Sequence, residues 1–305
     1  MPTFTSPVDG TSLFYRYYIP SSSPHKPASD VQCRPLTLIF LHGWAMSSRM
    51  FDQLIVPLVE SHRYRVIAPD RRGFGNTDWN TPTTGEVTFD TFAADLVALI
   101  EHLRPGPFVF VAASMGASES VLAYHASAYA RENCRGFVWL GPNMPYPERC
   151  PESPTAPSAA EWDALADGFR SSEGKEFVAQ QAPVVFRPDL VPVGQRTLQF
   201  FERLALQADP IAVERTIVLI RRPMAAELRA LVETMGPDKI PILILHGDSD
   251  PTTPLEATSV LLHQMLPWST LNVYKNAGHG LYLTHSAQVM DDLLEFFRRI
   301  PEPKV

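Results

Sequence analysis

Val111-Ala112-Ala113-Ser114-Met115-Gly116-Ala117-Ser118 closes the apolar run FVFVAAS (108 to 114) and opens a segment of helical pattern. A serine at that junction can cap the helix by accepting a backbone N–H bond, worth about 1 kcal/mol. Capping asks nothing of the residues on either side, yet Ser114 is hemmed in by small ones. A sharp turn from strand straight into helix does ask for them, because larger side chains would strike the adjoining strand and helix. The stretch therefore reads as a tight turn that presents Ser114 as a nucleophile. The rest of the chain must then supply a base and an acid.

Outward from this turn, short aliphatic or β-branched runs alternate with amphipathic stretches. The runs are LTLIFLH (36 to 42), YRVIAPD (64 to 70), FVFVAAS (108 to 114), GFVWLGP (136 to 142) and ILILHGD (242 to 248), with a further strand near 270 to 275. Continuous apolar strands belong to a sheet covered on both faces. The intervening patterns predict helices over about 50 to 61, 88 to 104, 115 to 131, 255 to 266 and 286 to 299. Alternation of strand and helix implies right-handed crossovers and a mostly parallel sheet, so the fold class is α/β. The start of the chain, with Asp9-Gly10 ahead of the alternating DGTSLFYRYYIP, reads as a hairpin at an antiparallel edge. SSSPHKPASD (21 to 30) reads as a polar surface loop.

One region breaks the rhythm. After GFVWLGP comes a proline-rich segment and then helical patterns near 159 to 170, 173 to 182, 195 to 208, 210 to 221 and 224 to 235. Some 95 residues between neighbouring strands far exceed the usual connection of about 2 to 6. The expectation is a helical cap (142 to 236) inserted into a core domain formed by 1 to 141 and 237 to 305.

Composition narrows the function classes. A formal net charge of -7 disfavours nucleic acid and anionic membrane surfaces as partners. Three cysteines, Cys33, Cys134 and Cys150, are too few and too scattered for a disulfide framework or a zinc site. No secretory leader is read at the N-terminus, and no apolar run approaches the roughly 20 residues needed to span a bilayer. A cytoplasmic location is expected. The chain contains no G-x-G-x-x-G, no G-x-x-x-x-G-K-[ST] and no H-E-x-x-H, so neither a nucleotide cofactor nor a metal is implied. The oligomeric state is left open, with a homodimer among the options.

Parallel sheets of this kind bind ligands beyond the carboxyl ends of their strands, so the residues following each strand are the candidates for chemistry. They include His42-Gly43-Trp44-Ala45, Asp70-Arg71-Arg72-Gly73, Ser114, His246-Gly247-Asp248-Ser249-Asp250-Pro251 and Asn276-Ala277-Gly278-His279-Gly280. Serine, carboxylate and histidine in that chain order, all at one sheet edge, are what nucleophilic acyl transfer requires. Serine cannot ionise at neutral pH and needs a neutral imidazole to take its proton, a role that the glycine-flanked His279 fits. The two glycines are read as letting its ring approach the sheet edge. Either Asp248 or Asp250 can orient that ring and stabilise the imidazolium. His42 and His246 read as loop pins, and Asp70 with Arg71 and Arg72 as buried loop bracing by ion pairs.

LHGWAMSSRMFD, APDRRGFGNTD, FDTFAADLVALIEHL, VAASMGAS, LILHGDSDPTTPLE and VYKNAGHGLYLTHSAQVMDDLL together resemble the α/β-hydrolase superfamily. Within it they most resemble the arylesterase and cofactor-free haloperoxidase (perhydrolase) group. That resemblance implies an α/β-hydrolase fold, a mostly parallel eight-stranded sheet with helices on both faces and an inserted helical cap. It implies a triad of Ser114, Asp250 and His279, with the acid in GDSD settled on Asp250 and Asp248 left as a turn residue bonding its own backbone. It also implies an oxyanion hole from the backbone N–H groups of Trp44 and Met115. Some relatives carry the acid after the preceding strand, where this chain has GPNM and no carboxylate. The chain departs from the G-x-S-x-G elbow in having Ala112 at the first glycine position, with Gly116 keeping the second. The activity implied is hydrolysis of a carboxylic ester, or of a lactone or thioester, of a hydrophobic small molecule through an acyl-serine. Perhydrolysis and carbon–carbon bond cleavage use the same triad, and a non-catalytic hydrolase-like binding protein is the other class. Epoxide and haloalkane hydrolases place aspartate at the elbow, which Ser114 excludes. The cap aromatics Trp162, Phe169, Phe177, Phe186, Phe200 and Phe201, with Leu204, are read mostly as the cap's own core. Met144, Leu281 and Tyr282 are expected near the rim of a hydrophobic pocket.

Overall fold

A computed structural model describes residues 2–21, 36–79, 87–171, 176–177, 180–236 and 239–300. Eight strands form one sheet in the order β1-β2-β4-β3-β5-β6-β7-β8. They are β1 (Thr3–Thr5), β2 (Ser12–Tyr18), β3 (Thr37–Leu41), β4 (Arg65–Pro69), β5 (Phe108–Ala113), β6 (Cys134–Leu140), β7 (Ile242–Gly247) and β8 (Thr270–Tyr274). β1 and β2 are antiparallel to their neighbours, and all the other pairings are parallel. Every residue of β3, β5 and β7 is buried, as their unbroken apolar sequences require of strands covered on both faces. The expected hairpin forms at the sheet edge. The polar loop expected at 21 to 30 lies, beyond Ser21, outside the described residues.

Two apolar layers sandwich the sheet. On one side α2 (Phe89–Leu103) and α3 (Met115–Ala126) bring Phe92, Leu96, Leu99 and Val121 against Phe110, Phe137 and Trp139. On the other, α1 (Asp52–Glu60) and the C-terminal helix Ser286–Arg299 bring Leu54, Leu58, Leu293 and Phe297 against Leu38, Val66 and Val109. The helix expected over 115 to 131 is two. Ser127 adopts an extended backbone, and its hydroxyl accepts the N–H of Ala130, so it ends α3 and caps α4 (Ala128–Asn133). The helix expected over 255 to 266 is likewise a short 3₁₀ turn followed by Ser259–Met265.

The long insertion between β6 and β7 contains helices Ala159–Arg170, Ala182–Phe186, Gln195–Gln207 and Pro210–Thr216, then a 3₁₀ turn Ile217–Arg221 and helix Ala225–Met235. Part of the helix expected at 173 to 182 lies outside the described residues. Trp162, Ala166, Phe169, Val213, Ile217 and Ile220 form a small core of their own with Ala45 and Phe74. By contrast, Leu228, Leu231 and Met235 of the last helix join the sheet's core beside Val121. The insertion thus leaves the sheet after β6 and returns to it through Ala225–Met235.

Buried charge fastens the hairpin and the loops after β3 and β4. Arg72, fully buried, pairs with Asp9 and with Asp95 at 2.5 Å and donates to Thr11 Oγ1 at 2.9 Å, while Asp95 also accepts from Ser6 Oγ at 2.6 Å. Arg71 pairs with buried Glu119 of α3, and its backbone N–H donates to His42 Nε2 at 3.0 Å. Burial, then the Arg71 charge, holds His42 well below the usual imidazole range. The ring is therefore neutral, and it donates through Nδ1 to Gly43 O at 2.8 Å. Asp70 takes part through backbone amides, accepting from Ser48 N at 2.7 Å and Asn76 N at 3.0 Å.

Candidate active site

Five loops that follow strands reach one cavity of about 360 Å³. Gly43 and Trp44 follow β3, Ser114 follows β5, Asn143 follows β6, Thr253 follows β7 and His279 follows β8; Trp162, Phe169 and Ile217 of the insertion close it from the far side. Residues distant in sequence are brought together here because a parallel sheet places all its strand C-termini at the same edge.

The elbow is built as its small residues demand. Ser114 has φ 51° and ψ −123°, left-handed backbone that a non-glycine residue occupies at a cost of about 1–3 kcal/mol. Its backbone is held there by N–H donation to Leu140 O at 3.0 Å and by accepting from Ala117 N at 3.0 Å. A Cβ on Gly116 would lie 2.6 Å from Leu41 O, so the second glycine is demanded by close approach of β3. The methyl of Ala112, at the departure from the usual elbow, is taken up in the sheet's core with no exposure at all. Met115 is the first residue of α3, where N–H groups have no partner within the helix and the dipole is positive. The loop carrying Trp44 runs beside Ser114, since a Cβ on Gly43 would be 3.5 Å from Ser114 Cβ. Trp44 Nε1 donates to Thr216 Oγ1 at 2.9 Å and its ring lies 4.7 Å from that of Phe169, so the insertion grips this loop.

The carboxylate partner of His279 is Asp250. His279 Nδ1 is 2.7 Å from Asp250 Oδ2 and 3.1 Å from Thr253 Oγ1, and Thr253 Oγ1 also donates to Asp250 Oδ2 at 2.9 Å. Asp250 Oδ1 accepts the backbone N–H groups of Thr252 at 2.8 Å and Thr253 at 3.0 Å. Burial opposes the charge on Asp250, but His279 and His246 outweigh it and hold the carboxyl far below its usual range. With Nδ1–H committed to a carboxylate, Nε2 of neutral His279 is left as the proton acceptor. Ser114 and His279 line the same cavity; no hydrogen bond joins them among the described residues, and such contacts characteristically tighten when substrate binds.

Asp248 plays a different part from Asp250. It is exposed and accepts from Asn276 N at 2.7 Å and from Ser249 Oγ at 2.9 Å, tying the acid loop to the histidine loop instead of bonding its own backbone. His246 is the expected pin, bonding Ser259 Oγ at 2.6 Å and Thr253 O at 2.7 Å. Asn143, in GPNM, accepts from Ser118 Oγ at 2.9 Å and donates to Ile220 O at 3.2 Å, a tie between α3 and the insertion.

Three features lay beyond the sequence reading. Thr253 bonds both Asp250 and His279, and the only hint was a threonine three residues past the aspartate in DPTT. The glycines around His279 make room for the insertion, not for the sheet edge. A Cβ on Gly278 would lie 2.6 Å from Val185 O, one on Gly280 would overlap the Phe186 ring, and Gly280 N donates to Val185 O at 3.0 Å. Met144 and Leu281 are fully buried in the sheet's two cores and leave Tyr282 as the cavity residue of the three expected at its rim. Of the side chains expected in the insertion's own core, Trp162, Phe169 and Phe186 line the cavity, and Phe186, Phe201 and Leu204 pack in the core on the α1 side of the sheet.

Residues 37–286 match the family described as the alpha/beta hydrolase fold. A non-heme chloroperoxidase of Kitasatospora aureofaciens is 29% identical over 298 residues, covering 95% of this chain and 98% of the relative. A bifunctional esterase/perhydrolase of Acinetobacter calcoaceticus is 25% identical over 95% of this chain and 97% of its own length. Among solved structures, a bromoperoxidase from Bacillus anthracis superposes with a TM-score of 0.81 at 26% identity, covering 97% of this chain and 99% of that one.

Proposed function

Given that the chain belongs to the α/β-hydrolase family, we propose that it is a serine esterase that cleaves the carboxylic ester, lactone or thioester of a hydrophobic small molecule. The observation that carries this reading is the part-buried Asp250–His279 hydrogen bond of 2.7 Å opening on the same apolar cavity as the strained Ser114. Ser114 Oγ attacks the carbonyl carbon as His279 Nε2 takes its proton, and Asp250 stabilises the imidazolium. The N–H groups of Trp44 and Met115 receive the oxyanion; each such donor is worth about 3–4 kcal/mol in the transition state. His279 returns the proton to the leaving alcohol, and water, deprotonated by the same imidazole, then releases the acid and restores Ser114. Residues 142 to 236, in this reading, are the cap that walls the substrate in, with the core made by 1 to 141 and 237 to 305.

The test is turnover of aryl esters by the wild type and by Ser114→Ala. Turnover should be lost in the variant with its thermal unfolding unchanged, and a fluorophosphonate should label only the wild type. Equal hydrolysis by both proteins refutes the assignment. A second reading is favoured by the names of the relatives: with hydrogen peroxide as the second nucleophile, the acyl-serine gives a peracid and free Ser114. Peracid formation, measured beside ester hydrolysis, separates the two.

A further inference from the structure

Among the described residues, the cavity wall contains one buried polar group that neither the reaction nor the protein's own hydrogen bonding uses. Six buried residues with polar side-chain atoms line it: Ser114, Asn143, Trp162, Thr253, Thr258 and Tyr282. Four of them spend those atoms on the protein. Asn143 bonds Ser118 and Ile220 O, Trp162 Nε1 donates to Pro147 O at 3.0 Å, Thr253 serves Asp250 and His279, and Thr258 Oγ1 donates to Pro254 O at 2.9 Å. Ser114 Oγ and Tyr282 Oη have no hydrogen-bond partner among the described residues. Neither oxygen is among the polar side-chain atoms sealed from solvent without a partner, so each keeps surface on which a water or ligand can complete its hydrogen bonding. One of these two hydroxyls is the nucleophile. The other sits among rings: Phe51, Phe186 and Phe201 lie 5.8, 6.2 and 6.0 Å from the Tyr282 ring, and burial alone pushes its phenol upward, so it remains a neutral donor.

We infer that Tyr282 is a specificity-determining residue whose hydroxyl donates to an uncharged acceptor oxygen, a ketone or ether, placed away from the scissile ester on an otherwise apolar substrate. This rests on the esterase reading above and names the substrate class for the same site. The surroundings select the chemistry. Met50, Phe186 and Tyr282 form an apolar wall, and no lysine or arginine lines the cavity among the described residues, so a carboxylate on the substrate would be desolvated without a counter-charge. A neutral oxygen loses little on entry and gains the donor, whereas a methylene in its place leaves the phenol unpaired.

The experiment uses p-nitrophenyl esters of one chain length in which a ketone replaces each methylene in turn, with the unsubstituted alkanoate as the reference. In the wild type, kcat/KM for one keto ester should exceed that of the reference by about tenfold, as one neutral hydrogen bond allows. In Tyr282→Phe, which keeps the ring packed on its three aromatic neighbours, that ratio should collapse to about one. Ratios that match between wild type and variant at every ketone position overturn the inference while leaving the esterase reading intact. Hydrolysis of none of the esters by the wild type overturns both. Binding of the same pair to Ser114→Ala, by calorimetry, provides a second readout should the tyrosine variant unfold: equal affinities for the keto ester and the reference also overturn the inference.

Discussion

Thr253 joins Asp250 and His279, the proposed acid and base, with one hydroxyl, donating to Asp250 Oδ2 while lying 3.1 Å from His279 Nδ1. It does not touch the reacting atoms, so its effect is one of positioning. A hydrogen bond to a charged acceptor is worth about 1.5–3 kcal/mol. Thr253→Val should therefore lower kcat at least about tenfold with KM little changed, and Thr253→Ser should restore it. An unaltered kcat in the valine variant contradicts that role. Asp250→Asn removes the charge that fixes the imidazole tautomer, and kcat should fall by about 10⁴. Because Asp250 is held far below its usual range, it stays ionised across the assay range, so acid inactivation reports the imidazole alone. Plots of log(kcat/KM) should fall on acidification with a slope of one proton; a rate flat down to about pH 4 is incompatible with a histidine base.

At the level of elements, the insertion is bonded to three of the loops that reach the cavity. Val185 accepts from Gly280, Arg187 Nη1 donates to Ser249 O at 3.2 Å, and Thr216 receives the Trp44 indole. Positioning of the proposed base thus depends on the helix Ala182–Phe186 as much as on β8. Gly280→Ala sets a methyl group against the Phe186 ring, and the misplacement should cost about 10²-fold in kcat/KM, with only minor loss of far-ultraviolet circular dichroism. Activity equal to wild type sinks the coupling of insertion and base. The same scale explains why α3 stops at Ser127. Its serine side chain caps α4, a local hydrogen bond that competes with continuation of an otherwise helical pattern.

For the whole molecule, the hairpin at the sheet edge is fastened by a fully buried arginine with two carboxylates. Removing one partner leaves buried charge uncompensated, so Asp95→Ala should lower the unfolding free energy by about 3–5 kcal/mol in urea titrations. A change under about 1 kcal/mol contradicts that account. The acid side of the stability profile follows from the same groups. The Asp9 carboxyl, against the opposing effect of burial, is held below its usual value by Arg72 and Thr11, and Asp250 is held far below it. A depressed folded value contributes stability that is present above the unfolded carboxylate value of about 4 and is lost as pH falls through the folded one. Glu119, pushed up by burial against the opposing charge of Arg71, has the opposite sign, but the lowered Asp9 and Asp250 outnumber it. The urea midpoint should fall between pH 6 and about pH 3; an increase overturns the sign.

Much of this was legible in the amino-acid order. Apolar runs of strand length, helical periodicity between them and the small residues around Ser114 determine the sheet, its crossovers and the elbow, because burial and steric room act locally on the chain. Ser114, Asp250 and His279 could be located as residues that follow strands. The tertiary structure alone decided how the parts hold one another: Thr253 between Asp250 and His279, Val185 and Phe186 against the glycines of the histidine loop, and Tyr282 with its hydroxyl unspent on a cavity wall. Such contacts join residues up to 172 positions apart, as Trp44 and Thr216 are, and depend on which side chain fills which space once the layers have packed. No pattern of spacing encodes that, since packing is settled by three-dimensional complementarity that only the assembled fold presents.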